Sequence, residues 1–256
     1  EAKQIKVFGE MAKKGYIYKG KKAVYWCTHC ETALAEAEIE YGEEKSPAIF
    51  VKFPLKDDKG LLPEAAKGKP AFVVIWTTTP WTLPANVAVA VHADFEYAWV
   101  ESEGEVYLMA KELLGQVGKT CRKDFNNVLG TVKGSELEGV VARHPFLDRD
   151  STVVLADYVT LDAGSGCVHT APGHGQEDFE TGLRYKLPVI SPVDQTGHLT
   201  AEAGEMFAGM FVFDANVPII KHLAAANLLL GKERSRSFIA QRHNGLPPLT
   251  VSAKLP

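Results

Sequence analysis

Two stretches hold most of the side chains able to do chemistry. The first, WTTTPWTLPAN over residues 76–86, sets three consecutive threonines between tryptophans and prolines. Successive hydroxyls in an extended chain alternate faces, so at least one of Thr77, Thr78 and Thr79 must point inward and find a partner there. That partner is either the backbone of a turn, since Thr-Pro and Leu-Pro end strands, or a ligand or water. A threonine nucleophile would need an adjacent base or a free amine, and none is visible.

The second stretch, GSGCVHTAPGHGQEDFETG over 164–182, contains five glycines together with His169, His174, Glu177 and Asp178. Glycine at this density lets backbone approach something closely or adopt positive φ. Three readings are open. The stretch is a tight strand-to-helix connection with polar surface side chains; or His169, His174 and Asp178 are three metal ligands, although the Pro172-Gly173 break parts the histidines; or Asp178, in the first turn of a helix, binds a cationic group such as an amine. In the third case the preceding loop offers amides and imidazole to a carbonyl. A third motif, Cys27-Thr28-His29-Cys30, is half of a zinc knuckle, and the chain has no second close pair; His243 is poorly placed for one.

The elements that must position these residues are mostly short strands. From 47 to about 170 the runs AFVVIW, NVAVAV, YAWVES, VYLMA, NVLGTV, GVVARH, TVVLAD and GCVHTA are punctuated by Gly, Pro and Asp, and only AKELLGQVG reads as helix. This pattern predicts an α+β fold, a compact β-barrel-like core with a few flanking helices, rather than a doubly wound parallel sheet. Helices are expected over 1–14, with Gly15 as the stop; over 175–186, with Phe179 and Leu183 on one face; and over 214–230, capped by Asp214, with Val217, Ile220, Leu223 and Leu228 inward. TALAEAEIEYGEEK permits helix by propensity and strand by alternation. After Gly231 no period is sustained, and the tail reads as loop.

The 256 residues suffice for a substantial core, and 46% hydrophobic with 23% charged residues is ordinary globular composition. A net charge of −4 gives no global basic field for phosphate. No apolar run approaches the roughly 20 residues of a membrane span, and the polar, lysine-rich start is unlike a signal peptide. Four cysteines without framework spacing fit a reducing compartment, so a cytoplasmic protein is expected.

Three stretches in order, AVYWCTHCETALAEAEIEY (23–41), VIWTTTPWTLPANVAVAVH (74–92) and GSGCVHTAPGHGQEDFETG (164–182), resemble the isoleucyl-tRNA synthetase family, in particular its editing insertion, connective peptide 1. The related valine and leucine enzymes carry an arginine after the threonines, where Pro80 stands here. The resemblance implies a connector from the catalytic core over 1–46, an editing domain over 47–231, and an irregular tail over 232–256 that departs from the family's pattern. Neither H-I-G-H nor K-M-S-K-S occurs, so no aminoacylation is expected from this chain, and ATP binding belongs to the full-length ligase.

The function implied is hydrolysis of valine misattached to isoleucine tRNA, with valyl-adenylate as a further substrate. One methylene is worth only about 1 to 3 kcal/mol in an apolar pocket, a limit long illustrated by this very isoleucine–valine pair, so a second, smaller site is needed. Carried over by motif, Asp178 binds the α-ammonium, His169 lines the side-chain pocket or helps exclude isoleucine, and Thr77, Thr78 and Thr79 position ester, terminal adenosine and water. Asn86 supports them, Trp76 and Trp81 form walls, and Gly173 and His174 join Trp76 and Asn86 on the substrate. No general base stands out, so positioned water does the work, assisted by the tRNA's ribose hydroxyl. Editing then needs no cofactor, zinc at Cys27 and Cys30 belongs to the full-length enzyme, and the partners are isoleucine tRNA and the rest of the synthetase, with a monomer expected. Two alternatives are a non-catalytic tRNA-binding module using Lys13, Lys14, Lys19, Lys21 and Lys22, and a metal-dependent hydrolase using His169, His174 and Asp178. All of this supposes that Asp178 faces the threonine hydroxyls across one gap.

Overall fold

A computed structural model describes residues 1–17, 20–242 and 249–254; Lys19 and His243 lie outside the described residues. Helix α1 (Ala2–Lys13) is followed by strands β1 (Lys21–Cys27), β2 (Thr32–Ala33) and the long β3 (Ile39–Asp57). Next come β4 (Ala71–Thr77), β5 (Ala88–Val91), β6 (Glu96–Ser102) and β7 (Glu105–Ala110). Helix α2 (Leu114–Cys121) precedes β8 (Asn127–Lys133), β9 (Val141–Arg143), β10 (Asp150–Leu155) and β11 (Val168–Thr170). Helices α3 (Gln176–Tyr185) and α4 (Val212–Ala225) then lead to β12 (Leu229–Arg242) and β13 (Leu249–Lys254).

Six of these strands close on themselves. β3 pairs with β9, β9 with β10, β10 with β5, β5 with β11, β11 with β4, and β4 returns to β3. Closure removes the edges that a small sheet would otherwise expose, and it explains the unbroken apolar runs, since both faces of these strands are covered. In β5 the two faces separate cleanly: Val89 and Val91 enter the main core with Ile49, Phe53 and Leu83, whereas Ala88 and Ala90 join a smaller cluster with Val154, Ala156 and Val159. β7, β6 and β8 continue the sheet from β4, with Trp99, Tyr97 and Tyr107 fully buried. The α+β, barrel-centred fold expected from the strand density is the one found.

Several expectations of detail are corrected. Residues 232–242 and 249–254 are not irregular. They extend β12 along β3 and form β13 along β1. A hydrophobic-period search misses strands held by a backbone ladder rather than by a repeating apolar face. In α3 the buried residues are Thr181 and Gly182, while Leu183 is 63% exposed, because the helix rests on Pro172 through its glycine. In α4 the helix begins at Val212 after Phe211, with Asp214 in its first turn rather than capping it, and ends at Ala225, short of 230. Leu223 is buried and Ile220 and Leu228 pack against the core as expected, with Ile219 buried beside them, whereas Val217 is exposed. The stretch open to two readings, 32–45, resolves into β2, a 3-10 turn at Glu36–Glu38 and the start of β3.

Candidate functional site

Strand β11 joins the two chemistry-bearing stretches. It lies between β4 and β5, with Val168 opposite both Trp76 and Ala90, His169 opposite Val89 and Thr170 opposite Ala88. Some 90 residues of intervening chain are thereby folded out of the way, and the ends of both motifs meet at one end of the barrel. β4 stops at Thr77 because Pro80 opens a 3-10 turn, Pro80–Ala85, every residue of which is buried.

In that turn the hydroxyls form a chain. Thr77 Oγ1 accepts the Thr79 N–H at 3.1 Å and lies 3.3 Å from Thr79 Oγ1, which is 3.5 Å from Thr82 Oγ1. Thr82 Oγ1 donates to the Thr79 carbonyl at 2.8 Å and is 3.1 Å from His169 Nε2. Since the Thr82 proton is committed to a carbonyl, Nε2–H of His169 donates to Thr82, and Nδ1 is left as an acceptor. Burial pushes the His169 imidazole down to about 4, so it is neutral near pH 7. Its Nδ1 is buried with no hydrogen-bond partner among the described residues, as is the Trp76 indole nitrogen. Thr78 is half-buried between the buried Thr77 and the exposed Thr79.

Asp178 stands elsewhere. It is in the first turn of α3, where its Oδ2 accepts the Ala171 N–H and its Oδ1 the Tyr158 hydroxyl, both at 2.9 Å. Burial raises the carboxyl above its ordinary range, and these two donors oppose that rise. The carboxylate lines a cleft of about 1000 Å³ whose walls include Val168, Tyr158 and Gly175 on one side and Lys22 and Tyr25 of β1 on the other. The threonines and His169 are not part of that lining. Val168 turns to the cleft and His169, its neighbour in the strand, turns to Thr82, because side chains alternate. The expectation that Asp178 faces the hydroxyls across one gap is met by no hydrogen bond among the described residues: Asp178 and His169 lie on the two faces of β11, close to its end at Thr170. What connects the two groups is the segment from Thr170 to Gly175, where His174 lies edge-on to Trp81 with ring centroids 5.1 Å apart.

The remaining expected site residues hold the frame. Asn86 is fully buried and its amide is spent internally, donating to the Ala88 carbonyl at 2.7 Å and accepting the Ser151 hydroxyl. Trp76 packs against Gly164, where an added Cβ would lie 3.0 Å from the Trp76 Cβ and 3.1 Å from the indole ring. At Gly173 a Cβ would lie 2.1 Å from the Ile190 carbonyl oxygen. Gly173→Ala is expected to lose about 1 to 3 kcal/mol or more through this backbone clash, read as a lowered melting temperature. Wild-type stability in that variant would contradict the close approach.

Sequence reading missed the groups that fix the turn from afar. His144 Nε2 donates to the Leu83 carbonyl at 2.8 Å; Arg149 Nη1 donates to the carbonyls of Pro84 and Asn86 at 3.0 and 2.9 Å; and Asn216 Oδ1 of α4 accepts the Trp81 N–H at 3.0 Å. Thr82 and Tyr158 were missed too. Thr82 was within sight, sitting on the same motif as the three threonines, but the long-range partners leave no local signal.

Among the described residues no three His, Cys, Asp or Glu side chains are grouped to hold a metal, so His169, His174 and Asp178 do not form one. Cys27 is buried and its Sγ accepts the Cys30 N–H at 3.1 Å. Two thiols make half of a tetrahedral set, and no other ligand joins them among the described residues.

The profile of the family "tRNA synthetases class I (I, L, M and V)" matches residues 1–225. The isoleucine–tRNA ligase of Syntrophomonas wolfei is 58% identical over 230 residues, 90% of this chain and 24% of that protein. The isoleucine–tRNA ligase of Moorella thermoacetica is 57% identical over the same shares. The chain thus spans about a quarter of the length of the curated relatives it matches. Among solved structures, the cytosolic leucyl-tRNA synthetase editing domain of P. knowlesi superposes with a TM-score of 0.58 at 11% identity, over 75% of this chain and 97% of that one. The P. falciparum counterpart gives 0.57 at 9% identity, over 75% and 99%. At such identities the likeness is one of fold.

Proposed function

Because the chain belongs to the class I tRNA synthetase family, we propose that it is an editing module of an isoleucine–tRNA ligase, hydrolysing valine misattached to isoleucine tRNA. The observation that carries the reading is the hydroxyl chain of Thr77, Thr79 and Thr82 ending on a neutral, buried His169, with a second anchoring group, Asp178 of α3, hydrogen-bonded to the Ala171 N–H just beyond the end of β11. Hydroxyls and a neutral imidazole cannot supply a strong base, but they can orient water and an ester carbonyl, and orientation alone lowers a barrier substantially. Asp178 offers a carboxylate to the α-ammonium of the aminoacyl group, which on this reading spans the end of β11 along the segment from Thr170 to Gly175. His169 bounds the space left for the side chain and so acts in rejecting isoleucine. Asn86 acts through the turn it ties down, and Trp76 and Trp81 act as walls. The partners are the aminoacylated end of isoleucine tRNA and the remainder of the ligase, in the cytoplasm, with valyl-adenylate as a further substrate.

The test is release of amino acid from valyl-tRNA(Ile) and from isoleucyl-tRNA(Ile), with and without a chelator. Valine is expected to be released at least about tenfold faster, the scale that one methylene allows. Chelation should leave the rate unchanged. Steeply salt-dependent tRNA binding without deacylation would instead identify a binding module, and loss of activity on chelation a metal-dependent hydrolase.

A further inference from the structure

The cleft beside α3 contains a group that the editing reading does not use. Tyr158 sits just beyond β10, its ring packed with the small apolar cluster of Ala88, Ala90, Val154, Ala156 and Val159. Its hydroxyl leaves that cluster and reaches Asp178 Oδ1 at 2.9 Å, while the Ala171 N–H takes Oδ2 at 2.9 Å. The two carboxylate oxygens are thus held by one donor each, from two different segments, and the remaining lone pairs of both are available to a cation. Resting on the proposed function, we propose that Tyr158 is a positioning residue for the aminoacyl ammonium: its hydroxyl, hydrogen-bonded to Asp178 Oδ1, fixes the carboxylate's rotamer and presents it to the cleft.

The surroundings give the hydroxyl this importance. α3 adds Glu177 and Glu180 to the cleft, the 3-10 turn after β2 adds Glu36, and β1 contributes Lys22 and Tyr25, so three further carboxylates and one lysine line the cleft with Asp178. Burial of Asp178 favours its protonated form, and the hydrogen bonds donated by the Ala171 amide and the Tyr158 hydroxyl favour the anion. Burial, and after it the charge of Asp178, raises the Tyr158 phenol well above its ordinary value, which keeps it a donor throughout the neutral range.

The test is Tyr158→Phe, which keeps the ring and removes only the donor. In valyl-tRNA(Ile) deacylation the acid limb of kcat/KM is expected to move up by about 0.5 to 1 pH unit, with KM raised about fivefold below neutrality and kcat little changed above it. A merely structural tyrosine would lower activity without moving the limb. An independent reading comes from the carboxyl carbon of Asp178, titrated by NMR in wild type and variant, which needs no activity. An upward shift of its midpoint in Tyr158→Phe supports the assignment even if the wild type proves not to deacylate, a result that would overturn the editing reading alone. An unmoved midpoint overturns the role of Tyr158, whatever the activity. Should Tyr158→Phe unfold, Ala88→Val in the same cluster gives the packing control: it is expected to lower the melting temperature without moving the Asp178 midpoint, and a moved midpoint there would overturn the assignment.

Discussion

Asp178→Asn is expected to lower kcat/KM for valyl-tRNA(Ile) deacylation by about a hundredfold while leaving the protein at least as stable at pH 7. The activity loss follows from replacing a charge-assisted contact to an ammonium with a neutral one, worth about 2 to 3 kcal/mol in a partly dry site. The stability argument runs the other way. Burial holds the folded carboxyl above its unfolded value, so relative to the unfolded chain the native state favours the protonated form. The stabilisation tied to that proton is present below the unfolded pKa and is lost as pH rises through the folded one. At neutrality the ionised group is therefore a cost. An asparagine escapes that cost and can still be satisfied, its carbonyl accepting the Ala171 N–H and its amide donating to a Tyr158 hydroxyl turned to accept. The measurement pairs deacylation kinetics with thermal unfolding at pH 7. Retention of activity removes Asp178 from the site, and a marked fall in melting temperature shows its role to be structural.

The second large effect lies away from the site. Lys52 is buried, its ammonium 2.7 Å from Glu105 Oε2 and 4.6 Å from the centre of the Phe72 ring, and Tyr107 donates to the same oxygen at 2.5 Å. Glu105→Ala leaves the lysine charge buried without its counter-ion, and should cost about 3 kcal/mol, near the lower bound for a broken buried pair because Glu105 is 22% exposed. For a chain of this length that corresponds to a fall in melting temperature of roughly 6 to 12 °C. Lys52→Met combined with Glu105→Leu should recover most of the loss, since only the unpaired charge is expensive. Burial alone would raise the Glu105 carboxyl, but the hydrogen bonds from Lys52 and Tyr107 and the lysine charge hold it below its ordinary value. Its contribution is accordingly present above the unfolded carboxyl range and lost as pH falls through the depressed folded value. Wild-type stability of Glu105→Ala at pH 7 would show the pair to be energetically idle.

Sequence alone determined the strand-rich core, because an apolar run bounded by Gly, Pro and Asp is a local signal that a closed barrel satisfies. It also marked both site motifs, since three adjacent hydroxyls and a glycine-rich acidic stretch stand out without any neighbour. What only the tertiary structure decided was which way each side chain faces and who meets it. Thr82 meets His169 across 87 positions, and Arg149 reaches the carbonyls of Pro84 and Asn86 across more than 60. Asp178 turns to Tyr158 and the cleft because β11 is short and its alternating faces send Val168 one way and His169 the other. The tail was misread for a related reason. A backbone ladder along β3 is made by amides that every residue has, so its pairing leaves little trace in residue type until the partner strand is in place.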